Sequence, residues 1–152
     1  MKNKTTNGIL FEIEVKYSSG TPMSERPTIS SSKDAYEQFK KIWSPTLELR
    51  EEFYMLLLNR ANRLIGWYCI SKGGITGTVV DVRLVFSIAL KSLACGIIFA
   101  HNHPSGNINP SEADIRLTKK LTDSGMLLEI LVLDHLIICN DKYFSFTDES
   151  LI

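Results

Sequence analysis

His101-Asn102-His103-Pro104-Ser105-Gly106-Asn107-Ile108-Asn109-Pro110-Ser111-Glu112-Ala113-Asp114 decides how the rest of the chain is read. Two of the three histidines stand one residue apart in it, directly after the apolar run Gly96-Ile97-Ile98-Phe99-Ala100. That run is short and bounded by Gly and Pro, so it reads as a buried strand ending at the histidines. Strand alternation puts His101 and His103 on one side and Asn102 on the other. Downstream, Asn109 is predicted as a helix N-cap, Pro110 as the first helical residue and Glu112 as the carboxylate of a capping box. Ser111 and Asp114 then lie in the first helical turns, about 60° apart around the axis and on one face. Strand end, glycine loop and helix start bring two imidazoles, a carboxylate and a hydroxyl to one point.

The 152 residues suffice for one domain with a single core. The 17 basic and 17 acidic residues cancel, so no field over the whole sequence attracts a polyanion, and charge gives no support to DNA binding. Cys69, Cys95 and Cys139 are far apart and set in apolar runs, with no CxxC pair. They are expected to be buried reduced thiols of a cytoplasmic protein. Residues Met1 to Asn7 are polar with no apolar region behind them, and no apolar run is long enough to span a bilayer. Neither secretion nor a membrane partner is expected.

Outward from the histidines, the chain alternates strand and helix signals. Ile9 to Tyr17 reads as a half-exposed strand, Ser18 to Ser31 as a linker, and Lys33 to Trp43 as a helix capped by Ser32. Residues 1–44 are therefore expected to be an appendage, with the core at 45–152. In that core, strands are predicted over Glu51 to Leu58 and Leu64 to Ser71, and glycines loosen the chain at 73, 74 and 77. Asp81 is predicted to cap a helix over Val82 to Ala94, with Leu84, Val85, Ile88, Ala89 and Leu90 inward and Gly96 as its stop. The Pro110 helix is predicted to end near Gly125, followed by strands at Glu129 to Leu133 and His135 to Cys139, with Tyr143 to Phe146 closing the sheet edge. Several strand pairs are joined by short turns, which predicts a mixed α/β three-layer domain in place of a purely parallel sheet.

A catalytic zinc typically takes three protein ligands and keeps a fourth position for water. His101, His103 and Asp114 are three ligands of the right type, two neutral and one anionic, which leaves a Zn²⁺ site with net positive charge. A general base is needed beside them, and Glu51 and Glu52 are the candidates, because acids opening an apolar strand need a reason to be there. Alternation puts Glu51 on the face of Phe53 and Glu52 on the other. Ser111 is placed to bond a developing oxyanion. Singly, each residue has a plain structural reading: strand-end histidines, a solvated Asp114, an ordinary early-helix Ser111, edge charges at 51 and 52. His135, beside Asp134 between apolar runs, reads as a core or turn histidine before it reads as a fourth ligand. Only their conjunction at fixed spacing points to a site.

The array HxHx7Sx2D formed by His101, His103, Ser111 and Asp114 resembles the metal-binding signature of the JAMM (MPN+) zinc metalloproteases. More narrowly, the chain resembles the RadC-type JAB domain of bacteria, in a short single-domain form. The resemblance rests on Glu51-x-Phe53, His-Asn-His-Pro-Ser-Gly at 101 to 106, Ser111-x-x-Asp114 and Leu133-Asp134-His135, together with Asn59 to Asn62 and Gly73 to Gly77. It covers about residues 45 to 148. It implies a cytidine-deaminase-like fold with the metal at the end of the central strands. It further implies His101, His103 and Asp114 as Zn²⁺ ligands, an upstream Glu as general base, carried to Glu51 with Glu52 open as its neighbour, and Ser111 at the oxyanion. JAMM relatives cleave peptide or isopeptide bonds, so the implied partner is a protein or peptide substrate.

Two other readings compete with hydrolysis. Longer RadC-type proteins are labelled as DNA repair proteins and carry an N-terminal helix-hairpin-helix domain, for which this chain is expected to have no room. A DNA-associated accessory module with a structural metal would need a closed site, with His135 as the fourth ligand. Zinc deaminases share the fold layout but need cysteine ligands in a PCxxC setting, which the sequence lacks.

Overall fold

All seven residues from Glu52 to Leu58 are buried, as are all seven from Gly96 to Asn102. Strands lose their exposure throughout only when both faces are covered and both edges are paired. These strands, β1 (Glu52–Leu58) and β3 (Gly96–Asn102), lie inside a five-stranded sheet in the computed structural model, which describes residues 20–43, 45, 47–73 and 79–152. With β2 (Leu64–Lys72), β4 (Leu131–Ile138) and β5 (Tyr143–Ser145), the order is β2-β1-β3-β4-β5. β1 runs antiparallel to β2 and β3, β3 runs parallel to β4, and β5 returns antiparallel on β4. The sheet is mixed, as the short turns predict.

Helices cover both faces. α2 (Val82–Lys91) and α3 (Glu112–Leu127) bring Val85, Phe86, Ala89 and Leu121 onto Phe53, Met55, Leu57, Ile97 and Phe99. On the other face, α1 (Ser32–Ile42) seats Ala35 and Phe39 against Tyr54, Leu56, Leu58, Ile98 and Leu136. Residues 29 to 43, which the sequence groups with the N-terminal appendage, thus supply a layer of the core. The three-layer α/β expectation is the observed architecture. No helix among the described residues is long and apolar enough to cross a membrane. The strand predicted at Ile9 to Tyr17 and the glycines at 74 and 77 lie outside the described residues.

Several boundaries move, each for a local reason. α1 is capped by Ser31, one residue before the predicted cap. The Ser31 hydroxyl accepts from Asp34 N at 3.1 Å, while the Asp34 carboxylate reaches back to Ser30 N at 2.9 Å. α2 stops at Lys91 because Leu93 takes the left-handed turn at φ 55°. Gly96 is not the stop: it lies inside β3, where a Cβ would come within 2.9 Å of Leu133 Cδ1. The inward stripe of α2 is Val82, Val85, Phe86, Ile88 and Ala89, so of the residues predicted inward only Leu84 and Leu90 turn toward solvent. The two runs predicted at 129 to 133 and 135 to 139 are one strand, β4. Asp134 stays within it because its carboxylate accepts from His135 N, Ser145 Oγ and Thr147 N. Of the three cysteines, all free, only Cys139 is buried; Cys69 is half-buried and Cys95 exposed.

Candidate metal centre

Phe53 of β1 stands opposite His101 of β3, and the two rings lie nearly parallel, 11° apart with centroids 6.0 Å apart. That register sends His101 to the face covered by α2 and α3, and Asn102 to the other. Beyond the strand, the chain turns sharply: Gly106 N bonds His103 O at 3.0 Å, with Gly106 at φ +80°, which a side chain would strain. The turn brings the Asn107 carbonyl 2.6 Å from His103 Nδ1. A carbonyl only accepts, so Nδ1 of His103 carries the hydrogen and Nε2 offers its lone pair.

The helix start differs from the sequence expectation. Ser111, not Asn109, is the N-cap, and Asp114, not Glu112, completes the capping box. The Ser111 hydroxyl accepts from Asp114 N at 3.1 Å, and Asp114 Oδ2 accepts from Ser111 N at 2.7 Å. Ser-x-x-Asp satisfies the box by itself, while Asn109 N is already engaged by the Asn107 side chain at 3.0 Å. Glu112 is left exposed beside Arg116. The consequence is that Asp114 is fixed in the first turn of α3, with its carboxylate aimed back at the histidines.

His101 Nε2 lies 3.0 Å from His103 Nε2 and 3.2 Å from Asp114 Oδ1, and His103 Nε2 lies 3.4 Å from Asp114 Oδ2. Ligands about 2.0–2.1 Å from a tetrahedral zinc stand about 3.3 Å apart, so the donor set fits such an ion. Among the described residues, these three form the one such cluster of His, Cys, Asp or Glu side chains. Burial disfavours the Asp114 charge, but the two imidazoles beside it and the Ser111 backbone N–H outweigh it and hold the carboxyl far below its ordinary range. The Asp114 carboxylate beside it raises the His103 pKa, against the opposing effect of burial. A cleft of about 590 Å³ opens beside His103, with Pro104, Asn140, Asp141 and Lys142 in its walls.

The two acidic candidates part company. Glu51 is half-buried on the His101 face, and its negative charge is felt at His103. Glu52 is fully buried on the opposite face. Its carboxylate accepts from Tyr54 Oη at 3.0 Å and pairs with Arg50 at 3.3 Å and with Lys72 at 4.0 Å. The Ser111 hydroxyl donates to Asp114 Oδ2 at 2.8 Å, so it first serves to hold that carboxylate.

His135 lies against the cluster but not in it. Its Nε2 meets His101 Nδ1 at 2.8 Å and its Nδ1 meets Thr118 Oγ1 at 2.6 Å, so both nitrogens are engaged. Complete burial holds its pKa well below the ordinary value, so it is neutral. Thr118 escapes a reading of the sequence, although it stands four residues after Asp114 on the same helical face. Asn102 is a second omission: its amide holds Glu52 N, Leu47 O and Arg50 O, and so fixes the segment that carries Glu51.

This geometry has relatives. The sequence profile of the RadC-like JAB domain matches residues 29–151. The chain belongs to the RadC-like JAB domain family. A "UPF0758 protein" of Flavobacterium johnsoniae is 51% identical over 124 residues, covering 81% of this chain and 53% of that protein. Another of the same name from Porphyromonas gingivalis is 42% identical over 131 residues, covering 86% and 57%. One from Salinibacter ruber is 37% identical over 144 residues, covering 93% and 60%. The JAB domain chain thus spans a little over half the length of these relatives. The match begins at Ile29, ahead of the 45–148 region where the sequence motifs lie, and takes in α1.

Proposed function

We propose that this JAB domain is a zinc-dependent hydrolase, a metallopeptidase acting on a peptide or isopeptide bond. The observation that carries the reading is the convergence of ligand atoms from His101, His103 and Asp114, with His103 also lining a cleft and with no fourth such ligand among the described residues. His101, His103 and Asp114 would hold the ion. When bound, zinc supplies a Lewis acid that acidifies water and polarises a carbonyl.

The remaining chemistry belongs to the chain. Glu51, on the face of His101, is the general base: its carboxylate takes a proton from water and returns it to the leaving amine. Ser111 steadies Asp114 and turns its hydroxyl to the developing oxyanion when substrate is present. The cleft beside His103 receives an extended segment of a protein or peptide, whose amide is the bond cleaved. A cytoplasmic setting accords with three free cysteines.

The accessory reading, in which a structural metal serves a DNA-associated protein, has less support. Its fourth ligand would be His135, whose two nitrogens are engaged by His101 and Thr118. The net charge of zero supplies no attraction for phosphates.

The test separates ligand from base. His103→Ala is expected to lose stoichiometric zinc, measured by elemental analysis. Glu51→Gln is expected to keep zinc and lose amide hydrolysis by about 10²–10⁴-fold, the usual contribution of a general base. Products appear in a peptide-level comparison of cell extract treated with wild type or Glu51→Gln. Hydrolysis that survives in Glu51→Gln and vanishes in Glu52→Gln would move the base by one residue, and its survival in both would sink the mechanism.

A further inference from the structure

We propose that Thr118 and His135 are positioning residues that fix the tautomer of His101, so that its Nε2 presents a bare lone pair to the metal. The proposal rests on the reading of His101, His103 and Asp114 as ligands. It starts from the backbone carbonyl of Asp114, which can only accept. Thr118 Oγ1 lies 2.7 Å from that carbonyl oxygen, so the single hydroxyl hydrogen is committed there. The same oxygen lies 2.6 Å from His135 Nδ1 and can now only accept, so Nδ1 carries the hydrogen. His135 is wholly buried, and neither of its hydrogen-bond partners, Thr118 and His101, is an anion, so it holds a single hydrogen and its Nε2 is bare. That bare nitrogen, 2.8 Å from His101 Nδ1, takes a hydrogen bond from it. His101 therefore holds its hydrogen on Nδ1, and Nε2 faces His103 and Asp114.

The chain of donors has one solution. With one hydrogen on each ring and the hydroxyl hydrogen on the carbonyl, any other pairing of tautomers sets two lone pairs or two hydrogens face to face between Thr118 and His135 or between His135 and His101 Nδ1; the lone pairs left facing one another are those of the three ligand atoms, where a cation would sit. His103 reaches the same tautomer by a single bond to the Asn107 carbonyl. His101 reaches it through three bonds that run from β3 across β4 to α3 and end on the residue that supplies the third ligand. Outer partners of this kind orient a ligand and raise its affinity for metal, and losing one costs about 10–100-fold.

Two readouts test the lock in the full chain. The hydrogen on each imidazole is read in histidine-¹⁵N protein by long-range ¹H–¹⁵N correlation, without metal and with zinc, at mildly alkaline pH. Zinc affinity is read by competition with a chromophoric chelator. Wild type is expected to keep hydrogen on Nδ1 of both His101 and His135. Thr118→Val, nearly the same shape without the hydroxyl, is expected to populate His101 with a bare Nδ1 and to raise the zinc Kd about 10–100-fold. Thr118→Ser restores the hydroxyl and is expected to match wild type in both. Should the valine variant not fold, His135→Gln serves: its side-chain carbonyl can still accept from His101 Nδ1, which is expected to keep its hydrogen. A valine variant with wild-type tautomers and Kd overturns the proposal. So does a serine variant as weak as valine, which would make Thr118 a matter of packing, and so does a His135→Gln variant that strips the hydrogen from His101 Nδ1. Because the tautomers are read without metal, failure of the lock is distinguishable from failure of the protein to take zinc.

Discussion

The last two side chains of β3 leave it on opposite faces and meet opposite fates. Asn102 finds a partner for each of its polar atoms: Oδ1 accepts from Glu52 N at 2.8 Å, and Nδ2 donates to Leu47 O and Arg50 O at 2.5 and 2.9 Å. Glu52 beside it is likewise answered by Tyr54, Arg50 and Lys72. On the other face, His101, His103 and Asp114 turn lone pairs toward one another at 3.0 to 3.4 Å. Both clusters sit at the same end of the same strands and draw on similar residue types. A buried polar group is costly unless its partner is present. Where donors and acceptors match, the cluster holds the fold; where acceptors meet acceptors, it calls for a cation.

The largest effect expected from this contrast is on the histidine face. Zinc held only by the folded state stabilises it by about 4 kcal/mol when free ion stands about 1,000-fold above Kd. At about 2–4 °C per kcal/mol for a domain of this size, a chelator should lower the Tm by about 8–16 °C. In Asp114→Asn, zinc and chelator are expected to give nearly the same Tm. An equal zinc-dependent rise in both proteins would put the ion elsewhere.

The Asn102 face breaks differently. Asn102→Ala strands one buried N–H and two carbonyls, each worth about 1–3 kcal/mol when unpaired. Allowing for water entering beside Leu47 and Arg50, we expect a loss of about 2–4 kcal/mol in urea unfolding. Zinc Kd should stay within a few-fold, because no ligand touches Asn102, while hydrolysis falls as Glu51 loses its support. An Asn102→Ala protein as stable as wild type would refute the claim that this face holds the fold.

What the sequence could announce follows the same division. The cluster of His101, His103 and Asp114 is legible because it depends on residue type and spacing, and both survive in one dimension. The separation of Glu51 from Glu52 is legible too, since alternation puts them on opposite faces and Phe53 stands opposite His101. The sequence leaves the cap ambiguous because Asn-Pro-Ser-Glu and Ser-x-x-Asp are both good starts, and only the turn at Gly106 and Asn107 commits the earlier one to the loop. Asp134 reads as a break between two strands because its partners, Ser145 and Thr147, lie 11 and 13 residues away. Thr118 and Asn102 act through contacts made across the sheet and its helices, so nothing local marks them.

Asp134 gives the smallest effect and the most pointed one, since it lies on the Asn102 face. Its two oxygens accept three hydrogen bonds, yet burial outweighs them and raises its pKa above the ordinary value. A carboxyl whose folded pKa is raised stabilises the fold fully below its unfolded pKa and loses that contribution as pH rises through the folded one. Asp134→Asn removes the titration but can keep the bonds: Oδ1 still accepts from His135 N and Thr147 N, and the new amide donates to Ser145 Oγ, whose hydroxyl turns away. Subtracting the variant's urea stability from that of wild type cancels every other titrating group. The difference should therefore fall as pH rises from below about 3.9 toward neutral, by about 1.4 kcal/mol per unit of pKa shift. A difference that rises with pH would mean that the hydrogen bonds outweigh burial, and that this face favours the charge.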